Sequence, residues 1–465
     1  LYYPTVRYVY EDNYQYNGFR GVKITEIARE RSGVGDAVQK SRVFYDGLGR
    51  VVETLTRHAN EDQQVLAYTT YDALGRTAHS YTPYVVNNAQ PQDFWHFKPL
   101  DDANRSHTAT AYDALGRPTR VTHPDGTRTR HYYGVDDDTQ IGIPAGDLTG
   151  LQKHSVVDPN NHVRQSVQDA LGRLIRVREF DGTCHPTHPD CAEPFEMLSQ
   201  TDYTYDVFDK LTQVTDADGN KTRMVYDSLG RKTAMHDPDM GNWSYRYDDV
   251  GNLIRQEDAN GQVIAFAYDG LNRLQGKCYF PDGAPADVTC TASDYDVAYA
   301  YDRDAYYGRG QRTGMTYPGG AVTYRYDARG RLTWEQRAFD GLDTYATEYT
   351  YDAMDRVTRL TYPDGEVVKQ TYNVAGQPAT LTGDAAYVEG TTYNALGQIE
   401  QLHLGNDLLT RYDYFDAASN HRLKRIRVQE DGGSATHLDL TYAYDDVGNV
   451  RFIDGLTPLA FQARR

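Results

Sequence analysis

The feature that most constrains this chain is a six-residue phrase written many times. Tyr-Asp-Ala-Leu-Gly-Arg runs from Tyr71 to Arg76 and again, unchanged, from Tyr112 to Arg117. Near-copies begin at Tyr45, Tyr226 and Tyr326. With looser versions at Gln168, Tyr205, Tyr247, Tyr268, Tyr301, Tyr351, Tyr372, Tyr393, Phe415 and Tyr444, the chain holds 15 units. The commonest spacing is 21 residues, and longer spacings read as loops inserted into a unit. A motif that performs chemistry is needed once. One repeated at this density builds a scaffold, each copy contributing the same supersecondary element.

The residues of the phrase suit a tight turn. Its Asp (Asp72, Asp113, Asp227) stands where a side-chain oxygen can accept backbone N–H bonds at the first turn position. Its Gly (Gly75, Gly116, Gly230) stands fourth, where a left-handed backbone is wanted. A second landmark follows: Asp125, Asp218 and Asp364, each before Gly, lie 13 residues after the unit's Tyr, and Asn260 takes the same place. Asp-Gly and Asn-Gly favour two-residue type I′ hairpins, which need positive φ at both central positions. Between the turns lie runs such as Lys210–Asp216 and Lys221–Asp227, which alternate with period two and carry Thr, Val and Tyr. Each unit therefore supplies two strands of about 7 residues, or ~24 Å at ~3.4 Å per residue. The Tyr residues (Tyr71, Tyr112, Tyr226) are expected to form a cross-strand ladder, and Arg76, Arg117 and Arg231 to open the next strand.

A meander of some thirty strands cannot stay flat, because strands twist and open edges invite aggregation. Composition decides what it becomes. There are 40 Tyr against 13 Phe and 3 Trp, and the mean hydropathy of −0.71 is too low for one thick apolar core. Tyr suits a surface that is neither dry nor fully wet. The expectation is an all-β chain, a long antiparallel meander of hairpins coiled into a hollow β-shell or tube. Helix is disfavoured by 40 Gly and 18 Pro; the best window, Val22 to Arg31, reads equally as a strand. The net charge of −18 excludes nucleic acid and an anionic membrane surface as partners. No apolar run is long enough to span a membrane, and the start at Leu1 without Met implies a segment of a longer protein.

Tyr-Asp-x-x-Gly-Arg followed by Pro-Asp-Gly, with a 21-residue period, resembles the RHS or YD repeat of bacterial Rhs toxins, Tc toxin B and C components, wall-associated proteins and teneurins. The lead-in from Tyr16 to Arg50 resembles that of Tc B-component and SpvB-like proteins. The resemblance implies residues 1–44 as lead-in and 45–465 as repeat shell, with insertions near 77–111, 118–167, 180–202 and 276–299. It implies a non-enzymatic β-shell that encloses a toxin or other polypeptide cargo, secreted or at the cell surface. The partners would be that cargo, the remaining shell segments and other toxin-complex components. Asp237 to Gly241 superficially resembles the family's self-cleavage motif but occupies a repeat turn. An extracellular adhesion or glycan-binding module and an envelope-associated tube are the alternatives.

Other chemistry is sparse. Four Cys form two local pairs, Cys184 with Cys191 and Cys278 with Cys290, each inside a lengthened unit. Candidate disulfides there would trim the entropy of the inserted loops. Free thiols are the second reading, and Cys184, His185, His188 and Cys191 are a zinc set of awkwardly tight spacing. Asp216, Asp218 and Asn220 partly match a calcium loop but lack its Glu at position 12, so they read as a hairpin turn. No metalloprotease, nucleophile-elbow or P-loop motif is present. No catalytic, metal or cofactor-binding residue is assigned.

Overall fold

The computed structural model describes residues 6–29, 38–59, 63–87, 95–135, 141–143, 150–182 and 195–456. They form 35 strands, joined mostly by turns of a few residues, and two short 3-10 turns at Ala305–Tyr307 and Ala417–Ser419. The window at Val22 is strand, within Phe19–Arg29. There Ile24 and Thr25 stand on opposite faces and pair with Val43 and Arg42 of the next strand.

Two compact units divide the chain. One holds residues 131–348, and the other joins residues 1–130 to residues 349–465. In the 131–348 unit, strands from Gln152–Val157 to Thr344–Tyr351 pair antiparallel with their neighbours in chain order. The other unit repeats this pattern, with one branch. The strand Gln63–Tyr71 bends so that residues 63–66 pair with Tyr84–Asn87 while residues 69–71 pair with Thr77–Tyr81. Its two chain segments also meet: Arg422 lies 3.7 Å from the Asp125 carboxylate, and Asn420 donates to that same carboxylate. Residues almost 300 positions apart thus share a seam, so within this unit the meander returns onto itself.

Apolar core is local. Where an inserted segment covers a sheet face, a cluster forms: Trp95 and Phe97 pack with Tyr14, Phe44, Leu55 and Leu66. A second cluster joins Ile143, Val157, Val163, Phe180 and Phe195. Elsewhere the sheet is a single layer, and from Glu196 to Ile254 no residue is buried. This is the structural counterpart of the low mean hydropathy. A wall one sheet thick has no interior to fill, so something other than a core must hold its hairpins together.

Candidate functional site

That something is the repeated turn. At Asp72 the backbone N–H bonds to the Arg76 carbonyl at 2.9 Å, and the Gly75 N–H bonds back to the Asp72 carbonyl at 3.0 Å. Asp72 Oδ1 accepts from the amides of Leu74 and Arg76, both at 2.9 Å, while Oδ2 accepts from Arg76 Nε at 2.7 Å. Gly75 has φ of +82°, and the register shifts between Thr70 and Tyr71. This is a type I turn closed by a left-handed bulge residue. Asp113, Gly116 and Arg117 repeat it, as do Asp227, Gly230 and Arg231. In each, the bonded Arg amide is the foremost influence holding the Asp carboxyl below its usual range. Asp209, Asn272 and Asp355 replace Gly in other turns with φ of 60–64°. Asp and Asn are the side chains that best tolerate this conformation.

The Arg then reaches into the next unit. Arg76 Nη1 donates to the Asp113 carbonyl at 2.9 Å, and its guanidinium lies 4.6 Å from the centre of the Tyr112 ring. Tyr112 answers, its hydroxyl donating 2.9 Å to the Thr77 carbonyl just past Arg76. Tyr71 does the same to Val51 and Tyr226 to Leu211. Further along, Arg231 bonds the Asp248 carbonyl at 2.7 Å and lies beneath Tyr247, whose hydroxyl bonds the Lys232 carbonyl. The motif is a latch between consecutive hairpins.

Three expectations change here. The repeat Tyr residues are not a ladder of rings, because successive copies are two strands, or ~9.6 Å, apart. The Arg fills the gap. In the unit placed at Phe415, the latch residue is Tyr414, whose hydroxyl bonds Ile399; Phe415 takes the place of the Asp. The second landmark also differs from the type I′ form. Gly126 N–H bonds to the His123 carbonyl and His123 N–H to Thr127, so the turn starts one residue earlier. Pro124 then stands at its second position, where a ring-locked negative φ excludes type I′. Only Gly126 of the Asp125–Gly126 pair has positive φ. A true type I′ pair does occur at Asn17 and Gly18, with φ of +47° and +82°.

The remaining candidates resolve by position. Cys278 and Cys290 form a disulfide with Cα atoms 5.6 Å apart. Cys184, His185, His188 and Cys191 lie outside the described residues. Asp216 Oδ1 accepts from the amides of Asp218 and Asn220, as in the other turns. Asp237 caps its own turn by accepting from Asp239 and Met240. Among the described residues no group of three metal-ligating side chains comes together, and no helix is long and apolar enough to cross a membrane.

One buried group went unnoticed in the sequence. Glu53 is fully buried beside the first core cluster, both carboxylate oxygens accepting from the Lys98 amide at 2.9–3.1 Å. Burial pushes its pKa up to about 8 against the opposing Lys98 amide and ammonium. The signal was available: Glu53 shares a strand face with Val51 and Leu55, an inward-reading row with an acid in it.

A chain of latched β-hairpins with this turn in almost every unit is a YD-repeat scaffold. The RHS Repeat family model matches residues 205–239, 247–277, 306–341 and 337–367, and a domain of unknown function, DUF6443, matches residues 21–120. The chain carries RHS repeats and is similar to Tc-toxin-like RHS proteins. It is 35% identical to toxin subunit YenC1 of Yersinia entomophaga over 105 residues, covering 21% of this chain and 10% of that protein. It is 26% identical to the probable deoxyribonuclease RhsB of Dickeya dadantii over 407 residues, covering 72% of this chain and 27% of RhsB. The crystal structure of TcdB2-TccC3 shares its fold, with a TM-score of 0.80 and 19% identity over 97% of this chain and 24% of that one. The Photorhabdus luminescens Tc holotoxin pore is similar, with a TM-score of 0.76 and 21% identity over 95% of this chain and 23% of that one. The chain thus spans about a quarter or less of the length of these proteins.

Proposed function

We propose that this chain is a wall segment of a non-enzymatic β-shell that encloses and protects a polypeptide within a larger secreted toxin protein. The reading is carried by one observation: an almost uninterrupted series of latched hairpins matches the fold of the TcdB2-TccC3 structures over nearly the whole chain. A single-layer sheet spends its residues on area rather than depth, which suits a partition. The wall acts by pairing its strands, which leaves a protease little free backbone edge to engage. The activity in the RhsB name belongs to a protein of which this chain covers only 27%. Residues 1–44 serve as the lead-in and 45–465 as the wall proper.

Protease challenge of the full-length protein tests the reading. Its enclosed polypeptide should survive digestion while the wall is folded and be cleaved once denaturant opens it. Digestion at the rate of the same polypeptide free in solution would overturn the proposal.

A further inference from the structure

The net charge of −18 hides a segregation of charge across the sheet. Successive residues of a strand point to opposite faces, so the latch tyrosines mark one face and their alternate neighbours the other. On the face away from the latch tyrosines, Arg359 stands directly opposite Lys369 in the paired strands Val357–Thr361 and Val367–Tyr372. Further pairs repeat this on the same face: Arg246 with Arg255, Arg411 with Arg427, and Arg120 with Arg130. Lys369, Arg246 and Arg411 lie an odd number of residues before Tyr372, Tyr247 and Tyr414, and Arg120 pairs with Ala111, next to Tyr112. Like charges directly opposite each other weaken a ladder, so four such pairs on one face call for a reason. The latch face carries rings instead, such as Trp243 and Tyr245, and its Arg337 is neutralised by Glu335 at 2.6 Å.

Arg359 and Lys369 are exposed and, among the described residues, have no hydrogen-bond or ion-pair partner. They line a cavity of about 480 Å³ together with Gly365, Thr382, Gly383 and Asp384. Thr382 is the cross-strand partner of Lys369, so both cations and a hydroxyl form a row across adjacent strands, ~9.6 Å from end to end. Asp384 sets a single negative charge against this pair. In the other pairs the unmet groups are donors. Nε of Arg255, Arg411 and Arg427 is buried with no acceptor, although Arg255 Nη1 holds Glu257 at 2.9 Å and Arg427 lies 4.0 Å from Asp439. What this face lacks is a set of negatively charged acceptors. In the 131–348 unit it is otherwise small-sided, and Ala298, Ala300, Gly314 and Thr316 leave room for a second chain to lie against the sheet.

We propose that the face away from the latch tyrosines binds an acidic polypeptide partner, whose carboxylates anchor on Arg359 and Lys369. Carboxylates accept from guanidinium and ammonium groups and offset the repulsion within each pair. A stiff, densely charged polymer such as nucleic acid or a sulfated glycan fits less well. It would meet the Asp-bearing turns at the strand ends, exposed at Asp216–Asn220 for example, and the overall charge of −18. A flexible chain with carboxylates spaced among small neutral residues follows the cations and avoids the turns. This binding is independent of the wall reading, because it follows from charges paired within the described strands.

Fluorescence anisotropy of the purified protein with a labelled peptide of alternating Glu and Ser tests it, a Gln–Ser peptide of equal length serving as reference. Long-range charge opposes the acidic peptide, so its binding requires the local face. It should bind more tightly than the reference, and more weakly as salt rises. An Arg359→Gln, Lys369→Gln variant should lose affinity by about tenfold, as when charged hydrogen bonds are removed. Its thermal melt should hold or rise, since a repulsive pair has gone; a lower melt would refute that repulsion and with it the need for a partner. A Lys277→Gln, Arg337→Gln variant removes the same charge from the latch face and should bind as wild type does. Equal binding of the two peptides, normal binding by the first variant, or an equal loss in the second would each overturn the proposal. So would inorganic phosphate displacing the peptide far better than chloride at equal ionic strength, the mark of a small-anion site.

Discussion

Replacing Glu53 with Gln keeps the side chain's shape and an acceptor for the Lys98 amide while removing a carboxyl group that burial pushes up to about 8. In the unfolded chain the same group titrates near its ordinary value of 4.5. Its folded pKa is raised, so the stability it permits is fully present below about 4.5 and is lost as pH rises toward 8. Between those values the folded protein holds one proton more than the unfolded chain. The slope is then ~1.4 kcal/mol per pH unit, which over that window gives an upper bound of ~5 kcal/mol. Allowing for relaxation around the carboxylate, the Gln variant should be more stable than wild type by about 3 kcal/mol near pH 8 and nearly equal to it near pH 4.5. Trp95 packs in the adjoining cluster and reports on it. Urea unfolding followed by its fluorescence, with Trp243 and Trp334 changed to Phe in both proteins, measures the difference. Parallel pH profiles for the two proteins would refute the reasoning. A wild type that gains on the variant as pH rises would show that the Lys98 amide and ammonium outweigh desolvation.

Three further outcomes follow from the latch and the inserted loop. Tyr226→Phe removes the hydroxyl bond to Leu211 and should cost about 1 kcal/mol, read as faster amide exchange in the strands Leu211–Thr215 and Lys221–Tyr226. Gly230→Ala, at φ of +76° and with its new Cβ crowding the Lys210 side chain, should cost about 1–2 kcal/mol. Gly230→Asn should cost less, because Asn272 already holds this backbone two motif turns further on; thermal melts of the two variants rank them, and equal losses would count against the turn argument. Cys278→Ser with Cys290→Ser should loosen the loop from 281 to 296 by about 3 kcal/mol, seen as new protease cleavage confined to it. Cleavage spread along the meander would mean that the bond supports the wall itself.

Much of the local structure was legible because the turn chemistry is local. Asp72, Leu74, Gly75 and Arg76 contact one another within five residues, so their order on paper is nearly their order in space. The misreadings arose where the next strand or a neighbouring residue decides. Type I′ was expected at Asp125 from a dipeptide, whereas Pro124 sets the turn's start. Tyr414 rather than Phe415 is the latch, because register against the strand Leu423–Glu430 chooses between them. The Tyr–Arg partnership was invisible because it joins consecutive units, across spacings that vary with every insertion.

The sequence by itself determined the unit: two strands, two turns, and too little apolar content for a thick core. Periodicity, glycine conformation and composition are properties of a short stretch, and they act wherever that stretch lies. Tertiary structure alone decided which turns are covered. The tips at Met354 and Leu396 face Lys40 and Thr56, Asp125 meets Arg422, and Leu229 remains open, though the motif reads much the same at each. It also decided that Glu53 loses water beneath the inserted segment from Trp95 to Lys98. Coverage and desolvation depend on segments that are remote along the chain arriving at one place, and no window of the sequence contains both partners.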